Sequence, residues 1–487
     1  MVRTVTPLLC LLLLSFAVLA RAITHQNGDD SNSTNDCDNT TSFQATCALI
    51  ETAISSASTV YYPPLPNTRP ITRIGHRQLG AVCVQCRTWH TSRCWYHPTH
   101  HWPYPYAICR QGGGHTSNPG FSSTSGVQIS MTRFNSVTVD NATSTVAIGA
   151  GLLWDDVYKA LNGTGLNVVG GRVPGVGVAG LTLGGGYSWK TNQFGLVIDN
   201  IDSYEMVLPD GRIKIVRSED EDLWFGLRGG YNNFGIVTKF VLKAHPQGNV
   251  WGGIAIISGQ YFDQINAAVV KFQQEPALVL LMFYDGPERP EGIFDDFLAL
   301  PDIQIDVRSG SFFEFFGVIP PTDLTGGTRA YFSSVPVLEY SPALVDAIVN
   351  ETLFWGAKLA QLDKGTTVSF AVESYDAGLF THSPASQPSA YPPDRSRPLL
   401  PMNIYFGWTN PALDAEVANA LRESSRTVRN AAVADGQDVL NAAKYPNNAL
   451  FGTPLVDIYG TNVPRLKEIR RRVDPRDVMG LAGGFKF

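Results

Sequence analysis

The sequence predicts an α+β fold with more than one packed core. Three observations lead there. The chain has 487 residues, whereas one core usually organises roughly 100–200. Short strand and helix patterns are mixed without a repeating βα period. Two dense glycine clusters are framed by strand-like stretches. A hydrophobic content of 44% with 16% charged residues marks a globular chain and not a disordered one.

In chain order, Val127 to Met131 alternates like a half-buried strand, and Ser144 to Gly149 is a second. Trp154 to Leu161 is an amphipathic helix ended by Asn162-Gly163. Ile201 to Leu208 and Arg212 to Arg217 flank Pro209-Asp210-Gly211, a hairpin signal. Ser218 is placed to cap a helix carrying Glu219 to Asp222 in its first turn and ending at Gly229-Gly230. Phe234 to Ala244 follows as a strand. Beyond Pro246, apolar strands are expected at Val250 to Ile257, Ala277 to Tyr284, Thr367 to Val372 and Met402 to Gly407, with a helix at Phe262 to Gln274. Pro-rich loops interrupt Ser383 to Pro401. A helix at Val463 to Arg472 and a turn at Asp474-Pro475 close the chain.

The net charge of −6 and pI near 5.9 argue against nucleic acid or an anionic membrane as partner. Residues 1–22 read as a secretion signal: Arg3, then apolar Leu8 to Ala20, then Ala20-Arg21-Ala22 as cleavage site. No later segment reaches about 18 apolar residues, so no membrane span is expected. Sequons at Asn32, Asn39, Asn141, Asn162 and Asn350 fit a secreted, N-glycosylated protein. All seven cysteines precede residue 110. Cys37 and Cys47 could close a short disulfide loop, and Cys83, Cys86, Cys94 and Cys109 invite a zinc reading that is set aside, leaving no metal site expected.

The chemistry lies in the glycine clusters, Gly112-Gly113-Gly114-His115 and Gly170 to Gly186. Successive N–H groups without a Cβ can cradle a pyrophosphate. Gly175 to Gly180 matches G-x-G-x-x-G, but Gly184-Gly185-Gly186 would break the helix that a nicotinamide-binding fingerprint must open. That reading is rejected.

With Asp199-Asn200, Gly229 to Thr238 (GGYNNFGIVT) and Asp474 to Phe487 (DPRDVMGLAGGFKF), these clusters resemble the berberine bridge enzyme-like group of FAD-linked oxidoreductases, in its fungal form. The resemblance runs over roughly residues 107–487. It implies a two-part PCMH-type FAD-binding domain (23–245, completed by 442–487) and a substrate domain (246–441) with an antiparallel sheet backed by helices. It also implies one covalent FAD link, through His115. Further cofactor contacts are implied at Gly112, Gly113, Gly114, Thr116, Asn118, Gly170, Gly171, Val176, Gly177, Gly180, Gly184, Gly185, Gly186, Asp199, Asn200, Gly235, Ile236, Val237 and Asn447.

Several positions depart from the family pattern. Val173 stands where many members carry a second, cysteinyl link, so a bicovalent flavin is excluded. Leu181, Phe194 and Asn448 replace polar groups, and Val176 resembles the small residue that admits oxygen. Residues 67–106 fit neither the family nor any helix or strand period. Five histidines and three tryptophans crowd there, and no Asp or Glu occurs from Thr52 to Val139. It reads as sequence out of frame or across a mis-assigned splice, a zinc-binding insert being the alternative.

The expected reaction is oxidation of a small-molecule alcohol or amine-type carbon, with O2 as acceptor and Tyr375, Glu373 and Tyr405 as candidate catalytic groups. A carbohydrate substrate, a dehydrogenase using another acceptor, and a silent binding scaffold are the alternatives. The protein is expected to be a monomer.

Overall fold

A computed structural model describes residues 8–15, 84–87, 108–123, 127–258, 276–299, 303–319, 329–383 and 387–487. The expected helix at Phe262 to Gln274, the Cys37–Cys47 pair, and Asn32 and Asn39 lie outside these residues. Of the atypical 67–106 stretch, Val84–Arg87 is described, and it pairs parallel with Val127–Ser130, which also takes Ile108–Gln111 on its other edge.

The first core is a five-stranded antiparallel sheet. Its order is Val137–Asp140, Thr145–Gly149, Ile236–Lys243, Ile201–Val207 and Ile213–Val216. The expected hairpin is present: Arg212 O accepts from Leu208 N at 2.8 Å, and the Asp210 carboxylate accepts from Arg212 N at 3.0 Å. The Trp154–Leu161 helix forms over the residues expected, and buries Trp154, Val157, Tyr158 and Leu161, a stripe at i, i+3, i+4 and i+7. One cap differs. The helix expected after Ser218 is Glu221–Leu227, and its start is Asp220 instead of Ser218. The Asp220 carboxylate is drawn to Lys214 across the hairpin, 2.5 Å away, and makes no side-chain cap.

The second core is a seven-stranded antiparallel sheet, in the order Ile303–Gly310, Val250–Ser258, Pro276–Tyr284, Leu8–Ser15, Thr367–Ser374, Leu400–Trp408 and Arg329–Val337. Leu8–Ser15, expected as the apolar part of a secretion signal, is paired along both edges at the centre of this sheet. Helices Pro342–Leu362 and Asp414–Ala434 cover one face, through Trp355 against Phe406 and a Ser425–Ser333 hydroxyl contact of 2.8 Å. Strand alternation then turns Phe332, Ser334, Ser369, Glu373, Asn403 and Tyr405 to the opposite face, toward the glycine loops. Among the described residues no helix is long and apolar enough to cross a membrane.

Candidate functional site: two glycine loops under a sheet face

The two glycine loops meet backbone to backbone. A Cβ on Gly113 would lie 2.5 Å from Gly177 Cα, and one on Gly177 would lie 2.6 Å from Gly113 N. No side chain of any kind fits at either position. Gly112 lies against Ala150 O, and a Cβ at Gly180 would meet nothing within 4 Å. Val176 accepts from Trp154 N at 3.0 Å, tying the second loop to the helix start. His115 follows Gly114 half-buried, its ring 6.5 Å from that of Phe332 on the sheet face. Thr116 Oγ1 accepts from Asn118 N. The Asn118 amide reaches the C-terminal segment, donating to Ala449 O at 2.8 Å and accepting from Phe451 N at 3.0 Å.

Gly170 and Gly171 serve packing: Cβ atoms there would lie 2.3 and 2.5 Å from Trp154 ring atoms. The Val178–Leu183 helix stops at Gly184, as the glycine triplet requires, and Gly185 and Gly186 have φ of 106° and 80°. A Cβ at Gly184 would lie 2.1 Å from Asn447 Oδ1. Its absence lets the Asn447 amide donate to Leu181 O and to Tyr445 Oη, at 3.0 and 2.7 Å, while accepting from Tyr231 Oη at 2.5 Å. Tyr231 holds a φ of 56°, a conformation rare for an aromatic residue.

Asp199 and Asn200 are occupied within the protein. Asp199 pairs with Arg228 and Arg395. Asn200 donates to Phe194 O and Leu196 O, and its Oδ1 meets His245 Nε2 at 2.9 Å. Gly235 lies where a Cβ would strike Val207 O at 2.4 Å, and Ile236 and Val237 open the strand that pairs with Val207 and Met206.

On the sheet side, Glu373 is buried and pairs with Arg172 at 2.7 Å. Arg172 also lies 5.9 Å from the Tyr375 ring, which in turn lies 5.0 Å from that of Tyr187. Tyr405 stands apart, 5.1 Å from Phe332, and burial pushes its hydroxyl well above the ordinary range.

Sequence reasoning did not single out Arg172, Tyr187, Tyr231, Tyr391 or Tyr445. Tyr445 sits where the two units meet: its backbone N donates to Ser334 Oγ of the sheet at 3.1 Å, and its ring lies against Gly185. Its Oη accepts from Asn447 Nδ2 and, at 3.3 Å, from Tyr187 N. Burial raises this hydroxyl, while the Asn447 donor, the Arg172 charge and the Tyr187 N–H pull it back. The available signals were local: Tyr187 directly follows the glycine triplet, and Tyr445 opens the Tyr-Pro-Asn run.

Residues 104–217 match the family model of an FAD binding domain. An uncharacterized FAD-linked oxidoreductase of Arthroderma benhamiae is 35% identical over 222 residues, 42% of this chain and 44% of that protein, so the chain spans under half of that relative. The bifunctional solanapyrone synthase of Alternaria solani is 30% identical over 406 residues, 77% of this chain and 76% of that one. The solved BBE-like 1 protein of Physcomitrella patens superposes with a TM-score of 0.67 at 19% identity, covering 89% of this chain and 97% of that one.

Proposed function

Because the chain belongs to the berberine bridge enzyme-like family of FAD-linked oxidoreductases, we propose that it is a secreted oxidase. It would oxidise a small-molecule alcohol or amine-type carbon, with O2 as acceptor. The residues present suit the cofactor, since bare backbone from Gly112–His115 and Gly175–Gly180 converges where a Cβ would clash. His115 would tether it covalently, with Thr116, Val176 and Asn447 alongside. FAD, when bound, supplies the acceptor for the hydride that leaves the substrate carbon.

The observation that carries the reading is the pair of N–H donors on Tyr445 Oη. A phenol is a poor base at its ordinary pKa of about 10. Burial holds this hydroxyl above its ordinary value, and the two donors with the nearby Arg172 charge offset part of that; placed by them as an acceptor, Tyr445 Oη takes the proton from the substrate heteroatom as hydride departs. The carbon thereby loses one hydride and its heteroatom one proton, leaving a carbonyl or imine. Arg172, paired with Glu373, and Tyr375 line the polar end of the same face, whereas Phe332 and Tyr405 make an aromatic end beside His115. Val176 fits passage of oxygen to the cofactor.

Exposed sequons at Asn141, Asn162 and Asn350 support secretion, and with Leu8–Ser15 paired inside the second sheet the secreted form would keep its N-terminal residues. In the test, the protein is acid-precipitated. Yellow colour staying with the pellet, and lost from the pellet in His115→Ala, is the expected result for a covalent link. Oxygen uptake with substrate, abolished in Tyr445→Phe, is expected for the oxidase. Turnover with a dye acceptor alone would replace it by a dehydrogenase, and a colourless folded protein would end both readings.

A further inference from the structure

The segment 387–395, ahead of strand Leu400–Trp408, lies across the glycine-loop unit. Ala390 N donates to Phe225 O at 3.1 Å and Tyr391 N to Arg228 O at 3.3 Å. Asn462 Nδ2 donates to Ser389 O and Ala390 O, both at 3.1 Å. Beneath it lies a buried charge cluster. Arg228 donates to Gln387 O, Pro388 O and Ser383 Oγ, and to Asp199 Oδ1 at 2.9 Å. Arg395 grips both Asp199 oxygens at 3.0 Å and also donates to Ser389 Oγ. Leu196 N gives Asp199 Oδ2 a further donor at 3.0 Å. A carboxylate offers about four acceptor positions, and these contacts supply four donors. No acceptor remains for a ribose hydroxyl.

We propose that Asp199 is the anchor of a strap, residues 387–395, whose Tyr391 positions the Tyr187–Tyr445 pair. Tyr391 is fully buried and rests on bare glycine: a Cβ at Gly229, where φ is 111°, would lie 2.6 Å from Tyr391 Cβ, and one at Gly185 would lie 3.0 Å from its ring. Its hydroxyl interacts electrostatically with that of Tyr187, which donates to Leu399 O at 3.2 Å, and its ring lies 5.7 Å from Tyr445. Tyr187 N is one of the two donors on Tyr445 Oη. The connection therefore runs from Asp199 through Arg395 to Ser389, two residues along the strap from Tyr391, and from the Tyr391 ring to the Tyr187–Tyr445 pair. The inference rests on the reading of Tyr445 given above. Tyr391 and Asp199 act through other residues and touch no reacting atom.

The test uses the FAD-loaded full chain and the variants Arg395→Met, Arg395→Lys, Tyr391→Phe, Asp199→Asn and Tyr445→Phe. Arg395 is partly exposed, so its variants fold even where Asp199→Asn fails. Expected in Arg395→Met are protease cleavage within 387–395, unchanged flavin content, and flavin reduction at saturating substrate slowed by about tenfold or more. KM should move far less than kcat, and the acidic, rising limb of the kcat–pH profile, which reports the group that must accept the proton, should shift. Arg395→Lys, which keeps the charge but not the fork, recovers part of the rate, and Tyr391→Phe shows the pH shift without cleavage. Wild-type reduction rate and pH profile in both Arg395→Met and Tyr391→Phe overturn the inference. So does an Asp199→Asn protein that loses FAD in proportion to its activity while its remaining flavin reacts normally, since that is the signature of a cofactor ligand. Tyr445→Phe reports on the other reading: if it retains the wild-type pH profile, Tyr445 is not the proton acceptor, and cleavage and flavin content alone then judge the strap.

Discussion

The two sheets differ in where their strands come from. Every strand of the five-stranded sheet lies between Val137 and Lys243, and two of its four pairings are tight hairpins. The seven-stranded sheet draws three strands from Val250–Gly310 and three from Arg329–Trp408, and these halves meet only through Leu8–Ser15. Neither Pro276–Tyr284 nor Thr367–Ser374 pairs with the other, so each would present an open edge without that strand. The first sheet is assembled from local contacts; the second needs chain ends that are far apart in sequence. The apolar residues that would direct secretion are the same ones that join the second sheet, and one molecule cannot both shed and keep them.

The largest expected effect breaks the second sheet alone. Leu11→Pro removes ladder hydrogen bonds at the central strand and should cost about 3 kcal/mol or more. Calorimetry should then show the substrate unit melting first, with the glycine-loop unit little changed. A mature secreted protein beginning at Ile23 and melting in one transition would sink this prediction and give Leu8–Ser15 to the signal.

Next comes the opposite break, in the first core. Trp154 is fully buried beneath Gly170 and Gly171. Trp154→Ala should cost about 3–5 kcal/mol and lower flavin content, read by chemical denaturation and visible absorbance. An unchanged midpoint would mean that the loops do not depend on this ring.

The junction between the units sharpens the comparison. Lys190, with no exposed side chain, pairs with Asp285 at 2.7 Å, and Gln193 and Gln247 also donate to that carboxylate. Burial raises Asp285, but the Lys190 charge and the amides outweigh it and hold the carboxyl below its ordinary 3.8. A depressed folded pKa adds stability above the unfolded value and loses it as pH falls through the folded one. The two units should therefore uncouple in acid below about pH 3.9, seen as one melting transition becoming two. Asp285→Asn should show the split at neutral pH, at a cost of about 2–4 kcal/mol; a single transition throughout would show that the pair does not couple the units.

The smallest effect tests a local device. Ser341 Oγ accepts from Leu344 N at 3.1 Å, with Pro342 at the first helical position. Ser341→Ala should cost about 1 kcal/mol, confined to the substrate unit in hydrogen exchange.

Legibility in the sequence follows the same division. The Trp154–Leu161 helix and the Ile201–Val216 hairpin were readable because each rests on a few neighbouring residues. The long helices Pro342–Leu362 and Asp414–Ala434 were not, since exposed Phe354 and Leu362 blur the apolar stripe of the first, and alanines carry much of the second. Glu373 and Tyr375 were named because they lie on a recognisable strand. Tyr445 and Tyr391 were not, because most of their surroundings come from chain segments more than fifty residues away.

The sequence alone determined the glycine loops, the histidine after the first, the family, and the local elements, because each depends on residue type and short spacing. Tertiary structure decided which of those residues face one another. It turned Asp199 toward two arginines, seated Tyr391 on bare glycine backbone, and placed two N–H donors on Tyr445. The physical reason is that a buried polar group is defined by partners brought to it by packing, and no local pattern encodes which distant segment will supply them.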